Sequence, residues 1–330
     1  MEQALVERAG LKIETIPAAG LRGKNPVAAL AGLWQLSRGY GQSRQIINRF
    51  RPDVLFVTGG YVCVPVTLAA RLAGVPVIIY LPDIEPGWAI KFLARFAQRV
   101  AVTSPDAQQF FAARPGLTVV TGYPVQADLF TWREAGQAAA RRQLGLSDEL
   151  PVLLVFGGSR GARSINRALT SQLEDYLRVC QVLHVSGTLD EADMRARQAA
   201  LPADLQGRYH LWPYIHEEKA AALVAADLMV ARAGASVMGE LPAVGLPGIL
   251  VPYPYAGAHQ TLNAQYLARQ QAAIILDNAD LGEQLKTTIL DLLADKARLA
   301  AMRTASAGLA QPEAAARLAQ QIVEVSHARS

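Results

Sequence analysis

The chain alternates between short apolar runs and longer segments with helical periodicity. The short runs predict strands at 12–16, 53–58, 75–81, 99–103 and 118–122, and again at 151–156, 181–186, 209–213, 227–231, 248–252 and 272–276. Several are continuous runs of Val, Ile and Leu, which is typical of parallel strands buried on both faces. Helical periodicity lies between them, for example at 26–49, 164–177, 217–226, 261–270 and 281–294. This alternation predicts an α/β protein with parallel sheets.

The best domain boundary is Gly122-Tyr123-Pro124-Val125, because glycine and proline after a strand break regular structure. A second strand–helix series begins at Pro151. We therefore predict two Rossmann-like domains, 1–122 and 123–310, with a final helix over 311–330 that packs back on the first domain. The chain opens in a predicted helix, 2–9, so the usual first β–α unit is not expected in it.

Composition narrows the class of protein. With 330 residues, 51% hydrophobic and 18% charged, the chain can bury a large core. Cys63 and Cys180 lack metal-ligand spacing and fit a reducing compartment. The first ten residues are charged and predict no signal peptide, and no apolar run reaches the length of a membrane span.

Charge is unevenly distributed along the chain. The first 130 residues carry 13 Lys and Arg against 8 Asp and Glu, whereas the other 200 carry 19 against 20. A basic first half indicates an anionic partner such as a phosphorylated substrate or a membrane surface, with ordinary solubilising charge as the alternative. Nucleic acid is not expected, because no basic run is dense and none is interleaved with aromatic residues.

The clearest motif is the glycine-rich turn from Gly157 to Arg163, GGSRGAR, between a predicted strand and a predicted helix. Glycines let a ligand approach the backbone, and the N-terminus of a helix presents free N–H groups to an anion. The turn matches neither the dinucleotide fingerprint nor the Walker loop. It predicts a diphosphate site, with a purely structural βα turn as the alternative.

Three further segments follow strands in the second half. Small residues at 233–236 open space before Glu240, whose carboxylate suits a ribose diol, although a solvated glutamate is the alternative. The polar segment 259–264 suits sugar hydroxyls or helix capping. Tyr214 and Ile215 suit a base or plain core packing.

Two glycine turns and one aromatic stripe mark the first half. The basic loop 20–24 and the turn 59–61 both follow predicted strands, where open α/β sheets bind ligands. An apolar helical stripe is flanked by basic residues, and it predicts either core packing or contact with an anionic membrane surface. Its members are Trp88, Phe92 and Phe96, beside Lys91, Arg95 and Arg99.

Taken in order, these motifs resemble the MurG family, the UDP-N-acetylglucosamine-dependent transferases that make lipid II of peptidoglycan. The resemblance implies a GT-B fold, in which two Rossmann-like domains face each other across a cleft. It implies inverting transfer of N-acetylglucosamine (GlcNAc) from UDP-GlcNAc to a polyprenyl-diphosphate-linked muramyl peptide, without metal or cofactor. It also implies a peripheral protein at the cytoplasmic face of the cell membrane.

The resemblance assigns residues to both substrates. Those implied to bind the donor are Asp83, Gln126, Ser159, Arg160, Gly161, Ala162, Tyr214, Ile215, Ala235, Ser236, Val237, Met238, Gly239, Glu240, His259, Gln260 and Asn263. Those implied to bind the acceptor are Gly20, Arg22, Gly23, Lys24, Gly59, Gly60 and Tyr61.

Three features depart from the family pattern. The family's opening strand and GGTGGH loop, with the histidine assigned as base, have no counterpart here, so the resemblance assigns no catalytic residue. If the translation start was assigned wrongly, a GGTGGH-like loop is expected upstream of Met1. Asp83 stands where the family has Asn, and Gln126 stands where it has an Arg that meets phosphate, so weaker phosphate binding is expected there.

Three alternatives stay open at this point. A GT-B transferase with another lipid acceptor fits the changes at 80–83 and Gln126. A non-catalytic UDP-sugar-binding remnant fits the missing base, and absence of an upstream loop would favour it. A UDP-sugar epimerase needs acid–base carboxylates in the cleft, for which the first half offers only Asp83 and Glu85.

Overall fold

The computed structural model describes residues 6–7, 10–18, 26–158, 162–254 and 259–327. Its first sheet has four parallel strands in sequence order: β1 (Leu55–Val57), β2 (Val77–Leu81), β3 (Arg99–Val102) and β4 (Thr118–Val120). All five residues of β2 are buried. This central strand therefore has the two-sided burial that its continuous apolar run predicts.

Helices flank this sheet: α1 (Pro26–Phe50), α2 (Cys63–Leu72), α3 (Trp88–Leu93) and a 3₁₀ turn at Pro105–Phe111. Apolar side chains of these elements and of the strands form one buried cluster, which includes Ile47, Val77, Leu93 and Phe111. No helix among the described residues is both long and apolar enough to cross a membrane.

The second sheet has six parallel strands in the order β10-β9-β8-β5-β6-β7. They are β5 (Val152–Phe156), β6 (Gln181–Val185), β7 (Tyr209–Trp212), β8 (Leu228–Ala231), β9 (Gly248–Leu250) and β10 (Ala273–Ile275). Val152 and Leu154 pack into the core on one face, whereas Leu153 and Val155 pack into the core on the other. Strand order reverses between β5 and β8, so this sheet has a topological switch point there.

The helices of the second half cover both faces of that sheet. They are α4 (Ala127–Ala135), α5 (Gln137–Gln143), α6 (Arg163–Thr170), α7 (Leu173–Leu177), α8 (Glu191–Ala199), α9 (Ala203–Gln206), α10 (Lys219–Ala225), α11 (Val237–Val244), α12 (His259–Arg269), α13 (Leu281–Ala294) and α14 (Lys296–Ala307). The predicted α/β class with parallel sheets is confirmed.

The last helix, α15 (Ala314–His327), lies against the first sheet. Its Leu318 packs with Tyr80 and Ala101. Gly122 has φ +88°, and a Cβ on it would lie 2.8 Å from Cβ of Gln311, so only glycine fits where the chain leaves the first sheet. The exact domain boundary near residue 123 stays a prediction.

Two local predictions are wrong. Residues 12–16 form no strand: they are mostly exposed, Glu14 pairs with Arg49 of α1, and no strand pairs with the outer edge of β1 among the described residues. The helix predicted over 164–177 is two helices, α6 and α7, that break at 171–172. Of the predicted helix 2–9, the structure describes residues 6 and 7, which are helical.

Candidate functional site

A cavity of about 890 Å³ opens at the switch point of the second sheet. The turn after β5 forms one wall, and the turn after β8 forms another. Its lining includes Phe156, Gly157, Gly158, Ala162, Arg163, Ser164, Arg167, Asp190, Arg232, Gly234, Ser236, Val237, Glu240, Tyr253, Gln260 and Asn278. Open α/β sheets bind ligands at this place, beyond the carboxyl ends of the strands.

The glycine turn brings backbone to the cavity wall. Gly158 has φ +86°, and a Cβ there would meet no heavy atom within 4 Å, so the conformation and not crowding requires glycine. Helix α6 begins at Arg163 with its first N–H groups unpaired by the helix, which favours an anion at this end. Ser159, Arg160 and Gly161, predicted for the diphosphate, lie outside the described residues; Ala162 lines the cavity.

Arg232 holds the cavity walls together. Its guanidinium donates to Ser164 Oγ at 2.7 Å and to the carbonyl oxygens of Val251 and Pro252 at 3.2 and 3.4 Å. It also lies over the Tyr253 ring, 5.4 Å from the centroid. Burial lowers the pKa of Arg232, but an arginine stays charged. The cation therefore fixes α6 relative to the end of β9 and adds positive potential to the cavity.

The turn after β8 places Glu240 in the cavity wall, on α11. Its Oε1 accepts a hydrogen bond from Lys219 Nζ at 2.6 Å. Before it, Ala235, Ser236 and Gly239 are half-buried, whereas Val237 and Met238 are buried. Gly239 lies against Tyr123: a Cβ on Gly239 would lie 2.6 Å from Tyr123 Cδ1. Burial, with the charges of Glu240 and Asp83, raises the pKa of Tyr123 to about 12.

The predicted base contacts lie beside this wall. Ile215 is buried and shares a narrow cavity with Phe156 and Lys219. Tyr214 is 38% exposed, and its ring lies 4.2 Å from that of His216. Their contact with a base stays a prediction.

Helix α12 brings the predicted sugar-binding residues to different places. Gln260 lines the cavity, and its Oε1 accepts from the Tyr253 N–H at 2.9 Å. His259 Nδ1 donates to the Glu85 carbonyl at 2.9 Å, so it reaches the segment that follows β2. Asn263 is fully buried, and its Nδ2 donates to Asp83 Oδ1 at 2.8 Å. Asn263 and Asp83 thus join the two halves of the chain, and their donor contacts stay predictions.

Gln126 precedes α4 and is exposed. It lines a small cavity together with Lys219 and Glu240. The structure thus brings Gln126 beside the predicted ribose carboxylate, although the two residues are far apart in sequence.

The predicted acceptor residues are only partly described. Gly59 and Gly60 have φ +108° and +83°, and Tyr61 is 50% exposed at the carboxyl end of β1. Cys63 Sγ donates to the Gly59 carbonyl at 2.7 Å and ties this turn to the start of α2. Gly20, Arg22, Gly23 and Lys24 lie outside the described residues.

Sequence reasoning gave no role to Arg232, Lys219 or Asn278. Arg232 directly follows β8, and a charged residue after a buried strand is a readable signal. Lys219 and Asn278 carry no local signal, because only the packing of helices on the sheet brings Asn278 to the cavity and Lys219 to Glu240 in its wall.

The fold and this cavity define a two-sheet α/β protein of GT-B architecture. The chain belongs to glycosyltransferase family 28: the family's N-terminal domain model matches residues 1–102, and its C-terminal domain model matches residues 152–322.

Curated relatives match almost the whole chain. A UDP-N-acetylglucosamine--N-acetylmuramyl-(pentapeptide) pyrophosphoryl-undecaprenol N-acetylglucosamine transferase of Roseiflexus sp. (strain RS-1) is 44% identical, over 97% of this chain and 80% of the relative. The protein of the same name from Desulforudis audaxviator (strain MP104C) is 43% identical, over 95% of this chain and 84% of its own.

Solved structures show the same architecture. The crystal structure of Acinetobacter baumannii MurG aligns with a TM-score of 0.72 and 28% identity, over 98% of this chain and 88% of that one. A Neisseria meningitidis UDP-GlcNAc 2-epimerase bound to UDP-GlcNAc aligns with a TM-score of 0.69 and 12% identity, over 98% of this chain and 88% of that one. At this identity the likeness is one of fold alone.

Proposed function

We propose that the chain transfers N-acetylglucosamine from UDP-GlcNAc to a polyprenyl-diphosphate-linked muramyl peptide, the step that converts lipid I to lipid II in peptidoglycan synthesis. Two relatives that are 44% and 43% identical to this chain, over 97% and 95% of its length, are named for this reaction. The observation that supports it in the structure is one cavity that joins the β5–α6 turn, Arg232 and Glu240.

In this proposal the second half of the chain binds the donor. The diphosphate lies at the β5–α6 turn, where the N-terminus of α6 and Arg232 supply positive potential. The ribose diol donates hydrogen bonds to the Glu240 carboxylate, and Gln260 meets the sugar hydroxyls. Ile215 and Tyr214 flank the uracil.

The same groups stabilise the leaving group. As the bond between the sugar C1 and the phosphate oxygen breaks, negative charge grows on UDP. Prearranged backbone N–H groups and a fixed guanidinium stabilise that charge more strongly in the transition state than in the ground state. The acceptor hydroxyl oxygen forms the new bond to C1 as the bond from C1 to the UDP oxygen breaks, and the hydroxyl proton passes to a general base, the role that the family resemblance gives to the histidine of the GGTGGH loop. We infer inversion at C1, as the family resemblance implies.

The acceptor is proposed to bind at the carboxyl end of the first sheet. The turn at Gly59, Gly60 and Tyr61 lies there, with no heavy atom within 4 Å of a Cβ placed on Gly60, and the basic loop 20–24 is proposed to meet the acceptor diphosphate. Asp83 and Glu85 follow β2 and contact α12, so this edge faces the donor side.

The first half is further proposed to lie on an anionic membrane surface at the cytoplasmic face. Trp88 is 70% exposed and Phe92 is 38% exposed, one turn apart on α3. Lys91 and Arg95 are exposed beside them. Exposed aromatic groups beside cations suit the interface of an anionic bilayer. Sedimentation with phosphatidylglycerol vesicles tests this: Trp88→Ser with Phe92→Ser should release the protein, whereas Val323→Ser, an exposed apolar residue on α15, should not.

Calorimetric titration with UDP-GlcNAc, with UDP-glucose as control, tests the donor site. Transfer of labelled GlcNAc to a polyprenyl-diphosphate muramyl peptide tests the reaction. Selective binding of UDP-GlcNAc together with transfer supports the proposal. Binding without transfer favours the non-catalytic remnant, and loss of both contradicts the assignment.

A further inference from the structure

Lys219 and Glu240 form an ion pair at the edge of the candidate donor cavity. Nζ of Lys219, the first residue of α10, lies 2.6 Å from Oε1 of Glu240 on α11. The two side chains are 31% and 15% exposed. A charge-assisted contact of this length, largely shielded from water, is stronger than an ion pair on an open surface.

The position of Lys219 is unfavourable for its own helix. Unpaired N–H groups at a helix N-terminus carry partial positive charge, which disfavours a cation in the first turn. The contact that compensates for this cost lies outside the helix, at Glu240.

The side chain of Lys219 also separates two small cavities. On one side it lines a narrow cavity with Phe156 and Ile215, and its ammonium lies 5.5 Å from the centre of the Phe156 ring. On the other side it lines a cavity with Gln126 and Glu240. Lys219 therefore stands between the residues proposed for the base and the carboxylate proposed for the ribose.

We propose that Lys219 is a positioning residue for nucleotide recognition, which holds the Glu240 carboxylate oriented for the ribose diol. This inference rests on the proposed function, in which Glu240 binds the ribose. A carboxylate has about four acceptor positions on its two oxygens. Lys219 engages Oε1 and leaves acceptor positions for the two ribose hydroxyls.

Lys219 holds Glu240 in one rotamer before the nucleotide arrives. Binding of the nucleotide then does not incur the entropy cost of ordering that side chain. The preference for a ribose over a 2′-deoxyribose should depend on Lys219, because only a correctly placed carboxylate gains from the second hydroxyl.

The experiment measures dissociation constants for UDP and 2′-deoxy-UDP by calorimetry on the full chain. The variants are Lys219→Met, Lys219→Arg, Glu240→Ala and the double variant Lys219→Met/Glu240→Ala. Lys286→Met is the matched control, since Lys286 forms an ion pair with Asp175 away from the cavity. Circular dichroism melting verifies that each variant is folded.

We expect the wild-type chain and Lys286→Met to prefer UDP over 2′-deoxy-UDP by about tenfold, the value of one charge-assisted hydrogen bond. Lys219→Met should reduce that preference to about twofold or less, and Lys219→Arg should keep most of it. The double variant should bind UDP no more weakly than Glu240→Ala alone, because Lys219 acts through Glu240.

Two results overturn the inference. One is an unchanged preference in Lys219→Met. The other is a double variant whose fold loss of affinity for UDP equals the product of the fold losses of the two single variants. That result would show that Lys219 contacts the nucleotide directly. If the wild-type chain binds no UDP, the proposed donor site itself fails, and that result is distinct from both.

Discussion

The side-chain amide of Asn263 donates to Oδ1 of Asp83 at 2.8 Å, across 180 positions of sequence. The same nitrogen donates to the Ala233 carbonyl at 3.1 Å, and Oδ1 of Asn263 accepts from the Ile84 N–H at 3.1 Å. One fully buried amide therefore joins the segment after β2 to the turn after β8. This contact therefore ties the first half of the chain to the second half beside the candidate site.

Replacing Asn263 with alanine should destabilise the chain. The change leaves the buried Ile84 N–H without its partner and Asp83 without a donor, which costs about 1–3 kcal/mol. Urea unfolding followed by circular dichroism measures it. Gln270→Ala, an exposed residue just after α12, is the control. Equal midpoints for the two variants would contradict the bridging role.

Replacing Glu240 with alanine should weaken UDP binding by about tenfold to a hundredfold, because a hydrogen bond to a charged group contributes about 1.5–3 kcal/mol. His327→Ala, at the end of α15, is the control. Calorimetry with UDP compares the two. Equal affinities would exclude the ribose role of Glu240.

Replacing Arg232 with lysine should weaken donor binding and lower stability, even though the charge is kept. A lysine cannot span Ser164 and the carbonyl oxygens of Val251 and Pro252, since it lacks the planar fork of donors. We expect a loss of about 1–3 kcal/mol in unfolding free energy. Arg195→Lys changes an exposed i,i+4 pair on α8 and should be nearly neutral.

Stability should fall in acid because His184 is buried and neutral. Burial lowers the pKa of His184 to about 3. Its Nε2 donates to Asn166 Oδ1 at 2.9 Å, and Nδ1 accepts from the Tyr209 hydroxyl at 2.7 Å. In the unfolded chain this histidine takes up a proton near pH 6.5, whereas in the folded chain it stays neutral down to about pH 3. The free energy of unfolding therefore falls as the pH falls from about 6.5 towards 3.

The loss from one such group approaches about 1.4 kcal/mol per pH unit below the unfolded pKa. His184→Gln should be less stable than the wild-type chain at pH 7, but its unfolding free energy should fall less steeply between pH 6.5 and 4. Parallel curves would exclude His184 as a source of the slope. Burial lowers the pKa of His210 as well, and that contribution remains in both proteins.

Replacing Gly239 with alanine should disturb the contact between α11 and the segment after β4. The added Cβ would lie 2.6 Å from Tyr123 Cδ1, so the ring or the helix must move, at a cost of about 1–3 kcal/mol. Gly282→Ala on α13 is the matched control, because a Cβ there meets nothing within 4 Å. Thermal unfolding should separate the two variants, with Gly282→Ala neutral or slightly stabilising.

Most strands could be predicted from the sequence because strands buried on both faces consist of continuous apolar residues. The run predicted at 151–156 is β5 to within one residue. The strand predicted at 12–16 failed because local alternation says nothing about whether a neighbouring strand exists. Helices α8 and α14 have weak apolar periodicity, because α8 buries only Met194 and α14 buries only Met302 and Ser306.

The turns of the site were readable for a different reason. Glycines and small residues after a buried strand mark the edge where ligands bind, and Gly157, Gly158 and Glu240 all line the cavity. The partnerships between residues were not readable. Lys219 meets Glu240, and Asp83 meets Asn263, only because of how helices and loops pack on the two sheets. Periodicity and motif spacing carry no information about such distant pairs.

The polypeptide passes between the two sheets twice, once after β4 and once before α15, and the two passages lie side by side where Gly122 meets Gln311. A single linker would let one sheet swivel freely against the other. Two adjacent connections restrain such a rotation, because twisting about the long axis of one connection would stretch the other. We therefore expect the two sheets to move relative to each other by bending at this edge and not by twisting about it.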